Sequence, residues 1–181
     1  MPRPRARSSS RAPAARARRV ARPAASVLVL HGPNLNLLGT RETGIYGAES
    51  LASINTRLKA RGKELGLAVT TRQSNSEGEL VDLIQAARGK HGVLILNPAA
   101  YGHTSIAVRD AVLAVGIPVI EVHLSNIHKR EDFRQRTLLQ DIADGIIMGF
   151  GPLSYDLALE AAARLAATRG RPAASSAERA S

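Results

Sequence analysis

The sequence predicts an α/β protein with five parallel strands and helices packed on both faces of the sheet. Two observations carry this. Short apolar runs and helix-period segments alternate strictly along the chain, the pattern of a parallel sheet with crossover helices. Four of the runs, at 27–30, 93–96, 117–120 and 146–148, stop at polar or glycine residues: His31-Gly32-Pro33-Asn34, Asn97, Glu121-Val122-His123 and Gly149.

In chain order, the first strand falls at 27–30 and is followed by a long loop from His31 to Gly47. A helix over about 49–65 comes next, with Leu51, Ile54, Leu58 and Leu65 on one stripe. The second strand is expected at 67–72. Ser76, with Glu79 three residues on, has the spacing of a capping box and opens a helix whose apolar face is Leu80, Leu83, Ile84 and Ala87. The third strand, 93–96, leads through 97–105 into a helix carrying Ile106, Val108 and Val112. Gly116-Ile117-Pro118 opens the fourth strand, the stretch from His123 to Thr137 is polar and crowded with charge, 146–148 is the fifth strand, and 153–167 the closing helix. Such a series suggests the flavodoxin-like order 2-1-3-4-5, although sequence alone does not determine strand order.

The chain of 181 residues suits one domain with a sizeable core. Its net charge of +10 suggests nucleic acid, but the distribution points elsewhere. The first 25 residues hold eight arginines and no acid, 169–181 hold three arginines and one glutamate, and 26–168 carry 14 basic and 14 acidic residues. The expected organisation is a disordered tail over 1–25, a neutral catalytic domain over 26–168 and a second disordered tail over 169–181. The first tail is open to two readings, a solvated extension or an arm for nucleic acid; Pro4, Pro13 and Pro23 work against the amphipathic helix of a transit peptide. No run is long enough for a membrane span, and the absence of cysteine fits a cytoplasmic enzyme without disulfides or thiolate metal sites.

The carboxyl ends of parallel strands share one rim, where open α/β sheets bind their ligands. Asn34, Asn97, Glu121 and His123 would converge there, which reads as an active site. The loop before Gly47 carries Arg41 and Tyr46 between glycines, so it can act as a lid with reactive groups. A tyrosine titrates near 10 and serves as a base at neutral pH only where a cation stabilises its phenolate. Arg41 can supply that field; for either residue alone, the preferred reading is a loop tyrosine packing its ring and a solvated arginine. Glu121 and His123 alternate on one strand and can point the same way, although residues at spacing two need not touch. A carboxylate holding one imidazole nitrogen sets the tautomer of a general acid or base. Ser125, Arg130 and Arg134 suit a small carboxylic acid, or form only a solvated face. His103 and His123 raise the thought of a metal, which the lack of cysteine and of a helical His pair disfavours; no dinucleotide or phosphate loop supports a nucleotide cofactor. A non-enzymatic module binding a small anion or flavin would use the same rim.

Four segments, GPNLNLLGTRETGIYG at 32–47, QSNSEGEL at 73–80, LNPAAYGHTSIAVRDA at 96–111 and EVHLSNIHKREDFR at 121–134, resemble in order and spacing the type II 3-dehydroquinate dehydratases of the shikimate pathway. The resemblance spans Val27 to about Leu165. It implies a flavodoxin-like fold assembled as a dodecamer of four trimers, no cofactor, and trans elimination of water from 3-dehydroquinate through an enolate. It makes Tyr46 the base, Arg41 its lid partner, His123 the general acid, Glu121 the residue orienting it, and Asn34 the holder of a water. Asn97, His103, Leu124, Ser125 and Arg134 would bind substrate, Arg130 would stand near the tyrosine, and Asp110 would reach a neighbouring subunit's site. Thr43 replaces a proline common in the family; Ala99 and Gly102 stand where glycine and threonine are commoner.

Overall fold

The computed structural model describes residues 25–40 and 49–169. The expected tails therefore lie outside it except at their inner edges, where Ala25 already belongs to the first strand and Arg169 ends the last helix. Five parallel strands form one sheet in the order 2-1-3-4-5: β1 (Ala25–His31), β2 (Leu67–Gln73), β3 (Val93–Asn97), β4 (Val119–His123) and β5 (Gly145–Met148). The helices are α1 (Leu51–Glu64), α2 (Glu77–Ala86), the single turn α3 (Tyr101–Thr104), α4 (Ile106–Val115) and α5 (Leu153–Arg169). Every expected strand and helix is present, with ends shifted by a few residues. The fourth strand starts at Val119, because Pro118 has no N–H for a ladder, and runs on through Glu121 to His123.

Successive residues of β1 point to opposite faces, and each face is covered. Val27 and Val29 join Ile95, Ile54, Leu58 and Leu159 beneath α1 and α5, while Leu28 and Leu30 join Leu94, Leu96, Leu80, Ile84 and Val112 beneath α2 and α4. Each such side chain, once buried, contributes about 1.5–3 kcal/mol. Ser76 accepts from the Glu79 N–H as the capping spacing foretold, but the reciprocal half is not made: the Glu79 carboxylate accepts instead from the Ser74 hydroxyl at 2.6 Å.

One buried group is a histidine. His31 closes β1 with no exposed surface; its Nε2 lies 2.9 Å from the Asn55 Oδ1 and its Nδ1 2.6 Å from the Tyr155 Oη. An amide oxygen only accepts, so Nε2 carries the proton and Tyr155 donates to Nδ1. Burial pushes His31 down from 6.5 to about 4, partly offset by the Asn55 bond, and the same burial pushes the Tyr155 phenol up. Both rings are therefore neutral in the fold. Below pH 6.5 the unfolded chain binds a proton at this position that the folded chain refuses, so stability is whole above that pH and is lost as pH falls towards 4. The loss from this group is roughly 3 kcal/mol. Thermal melts across that range should show it, and His31→Gln, which does not titrate, should flatten this part of the acid slope; an equally steep slope in the variant would place the effect elsewhere.

Candidate active site

The sheet register brings the polar strand ends together. His31 pairs with Asn97 across β1 and β3, and Leu96 with Glu121 across β3 and β4. Beyond β1 the chain passes so close to β3 that a Cβ on Gly32 would lie 2.5 Å from the Pro98 carbonyl oxygen, while the Gly32 N–H donates to the Asn97 oxygen at 2.8 Å. Only glycine fits there. The next turn sets Asn34 at φ 66°, a left-handed conformation that asparagine tolerates, and its N–H donates to Asn75 Oδ1 at 2.9 Å. After β3, the Asn97 Oδ1 accepts from the Ala99 N–H at 3.2 Å, and Ala99 sits at φ 50°. That conformation costs a non-glycine residue about 1–2 kcal/mol and explains physically why glycine is the commoner choice.

These ends line a crevice of about 450 Å³ whose wall includes Asn34, Asn97, His103, His123, Ser125 and Arg134. At its floor, His123 Nε2 is 2.7 Å from Glu121 Oε1, and Glu121 Oε2 accepts from the Thr137 hydroxyl at 3.0 Å. Glu121 has no exposed surface, His123 and Thr137 almost none. With Nε2 committed to the carboxylate, Nδ1 is the nitrogen left for the crevice. Two residues whose spacing alone left contact open are thus hydrogen-bonded on one strand. His103 lies beside this pair, its ring stacked on His123 at a centroid distance of 6.2 Å. Its Nδ1 donates to the Arg136 carbonyl oxygen at 2.7 Å, which leaves Nε2 as the nitrogen without that partner.

Leu124, Ser125 and Arg130 also line the crevice, beyond β4, where the polar stretch forms two single turns of 3-10 helix, Ile127–Lys129 and Asp132–Arg134. Glu131 lies 3.6 Å from the Arg130 guanidinium and 3.5 Å from that of Arg134, and holds both at the mouth. A serine hydroxyl and two guanidinium groups at one end of a polar pocket suit a carboxylate ligand. Asp110 is exposed on α4 and is not on the wall of this crevice. Tyr46, Arg41 and Thr43 lie outside the described residues. Among the described residues no three His, Asp or Glu side chains gather as metal ligands. Thr137 and Asn75 were not singled out from sequence. Thr137 meets Glu121 from 16 residues away, with no periodic signal to announce it; Asn75 lies inside the QSNSEGEL segment, which did carry a signal.

Known proteins resemble the chain over most of its length. A family profile described as Dehydroquinase class II matches residues 25–163. A 3-dehydroquinate dehydratase of Hahella chejuensis is 59% identical over 140 residues, covering 76% of this chain and 95% of that one. That of Cellvibrio japonicus is 57% identical over 146 residues, covering 80% and 98%. Among solved structures, the type II dehydroquinase of Propionibacterium acnes superposes with a TM-score of 0.74 at 42% identity, covering 77% of this chain and 96% of its own. The type II dehydroquinase of Butyrivibrio crossotus gives 0.75 at 38%, covering 76% and 97%.

Proposed function

The chain belongs to the class II dehydroquinase family, and from that premise we propose that the crevice at the rim of its sheet is where 3-dehydroquinate loses water. The protein is a 3-dehydroquinate dehydratase: it forms 3-dehydroshikimate, a step of the shikimate pathway, by trans elimination through an enolate. The observation that carries the assignment of the crevice is the buried Glu121–His123 pair, which presents one imidazole nitrogen to a pocket of the right size.

The chemistry divides between two ends. Tyr46, as the tyrosinate, takes the proton from C2, next to the ketone, and the electron pair moves onto the ketone oxygen as an enolate. Ionising a tyrosine at pH 7 costs about 4 kcal/mol without help. The Arg41 and Arg130 charges lower that cost in a site closed to water. A water held by Asn34 stabilises the enolate oxygen. The enolate then collapses, the C1–O bond breaks, and His123 delivers a proton through Nδ1 so that the hydroxyl leaves as water. Returning the tyrosine's proton to the histidine by way of solvent restores both groups. No lysine lines the crevice among the described residues, so an imine route has no amine there. Asn97, His103, Ser125 and Arg134 hold the hydroxyls and carboxylate of the substrate, with Leu124 on the wall.

Assembly into trimers and then a dodecamer is supported by α4, where Asp110 is exposed and off the wall of its own crevice, between the exposed apolar residues Ile106 and Leu113 in the chain. The reading as a cytoplasmic enzyme rests on the cysteine-free sequence; no helix among the described residues is long and apolar enough to cross a membrane. A nucleic-acid contact is proposed only for the arginine-rich first 25 residues. The test of function is optical. Incubation with 3-dehydroquinate should raise ultraviolet absorbance as the conjugated enone forms, from protein eluting far above 19.2 kDa; no absorbance change would refute the function, and full activity in a verified monomer would remove Asp110 from a neighbour's site.

A further inference from the structure

We propose that Arg109, which does not line the crevice, is a positioning residue for both of its histidines: by gripping the Leu138 carbonyl it aims the polar groups of residues 136–138, which hold His103 and, through Glu121, His123. The proposal rests on the reading of the crevice as the dehydroquinate site.

Between the 3-10 turn that carries Arg134 and β5, the chain forms neither helix nor strand. No ladder therefore sets the direction of its peptide groups, yet three consecutive residues there support the Glu121–His123 pair and His103. The Arg136 carbonyl accepts from His103 Nδ1 at 2.7 Å. The Thr137 hydroxyl donates to Glu121 Oε2 at 3.0 Å, and the other oxygen of that carboxylate lies 2.7 Å from His123 Nε2. The Leu138 N–H donates to the carbonyl of Gly102, the residue before His103, at 2.7 Å. A turn of this segment about its own axis would release His103 and Glu121 together.

Two features oppose such a turn. Leu139 is buried in the apolar cluster of Leu80, Ile84 and Val112, which fixes where the segment lies. Apolar packing has no direction, so the aim of the polar groups is left to hydrogen bonds. At Leu138 these come from both sides. Its N–H belongs to the peptide before it and its carbonyl to the peptide after, and that carbonyl accepts from Arg109 Nη1 on α4. Holding both planes constrains the φ and the ψ of Leu138 at once. The guanidinium is aimed in turn by Asp141, whose two oxygens take Nη1 at 2.5 Å and Nη2 at 2.9 Å, the paired fork of arginine on a carboxylate. Asp141 is exposed, and such a pair adds little stability by itself. Its effect is to point Arg109 at Leu138.

The test is Arg109→Met in the full chain, which keeps an extended side chain and removes every donor. The first readout is proton–nitrogen NMR of the histidine rings. The His103 Nδ1 proton should exchange with water about tenfold faster than in wild type, the size of one hydrogen bond. The His31 Nε2 proton, on the opposite face of the sheet, should keep its rate. The second readout is kcat and KM taken separately. Through Glu121 and His123, kcat should fall about three- to tenfold, and through His103, KM should rise about threefold. In a Thr137→Val background the segment no longer bonds Glu121, so Arg109→Met should leave kcat within about twofold of the Thr137→Val value while KM still rises. An unchanged His103 proton, an equal acceleration at His31, or a kcat loss that adds in full to that of Thr137→Val would leave Arg109 a surface ion pair and overturn the proposal. Should Arg109→Met not fold, Asp141→Ala at its exposed position should move the His103 proton and kcat in the same directions; a variant identical to wild type in both overturns the proposal. Wild-type protein with no turnover overturns the functional reading and this proposal together, whereas wild-type turnover with an unmoved His103 proton overturns this proposal alone.

Discussion

Tyr46→Phe should abolish dehydration while leaving the fold intact. The substitution removes one oxygen, the atom proposed to accept the C2 proton, and keeps the ring. A general base is worth about 10²–10⁴ in rate, so kcat should fall by about a thousandfold or more with KM and the thermal melt little changed. Arg41→Ala should act in the same direction by another route, moving the rising limb of the rate profile to higher pH because the phenolate then forms without its cation. Residual activity above about a tenth of wild type in Tyr46→Phe would mean another base, with His123 the next candidate; an unmoved profile in Arg41→Ala would remove the arginine from that role.

The second large effect belongs to the other end of the elimination. His123→Ala should cut kcat by about a hundredfold or more, because the hydroxyl must then leave without a proton from the enzyme. Glu121→Gln tests the orientation of that proton donor. The glutamine has the same shape but can turn its NH2 towards His123 Nε2, which would force the ring's proton onto Nδ1 and end its exchange with the carboxylate. A fall of about ten- to a hundredfold is expected, with Thr137→Val, which frees only one lone pair on Glu121, producing a smaller one in the same direction. If Glu121→Gln turned over like wild type, the buried carboxylate would be structural and the assignment of His123 as a steered acid would fail.

The strands were legible because strands buried on two faces leave runs such as Val93 to Leu96, and the abrupt change at Asn97, Glu121 and His123 marks the rim. The order 2-1-3-4-5 came from the alternation of elements, which restricts a parallel sheet to few topologies. Contacts that bridge distant segments left no such trace. Thr137 completes the Glu121 site from a stretch with no periodicity, and His31 meets Tyr155 across 124 residues of chain. The half-made cap at Ser76 shows a local rule yielding to a stronger neighbour, since the Ser74 hydroxyl takes the Glu79 carboxylate that the capping box would have turned back. Ala99 ran the other way. Its oddity was visible against the family pattern, but the reason, a left-handed turn that orients Asn97, needed the backbone. The roles of Tyr46 and Arg41 came from resemblance joined to the chemistry of a tyrosinate base.

Two groups at this rim are proposed to remove a proton and a hydroxyl from opposite faces of 3-dehydroquinate. The most direct measurement is turnover of substrate deuterated stereospecifically at C2, followed by proton NMR of the product. Loss of the deuterium that lies trans to the leaving hydroxyl, with the cis label retained in the 3-dehydroshikimate, is the predicted result. Loss of the cis label, or scrambling of both, would contradict it.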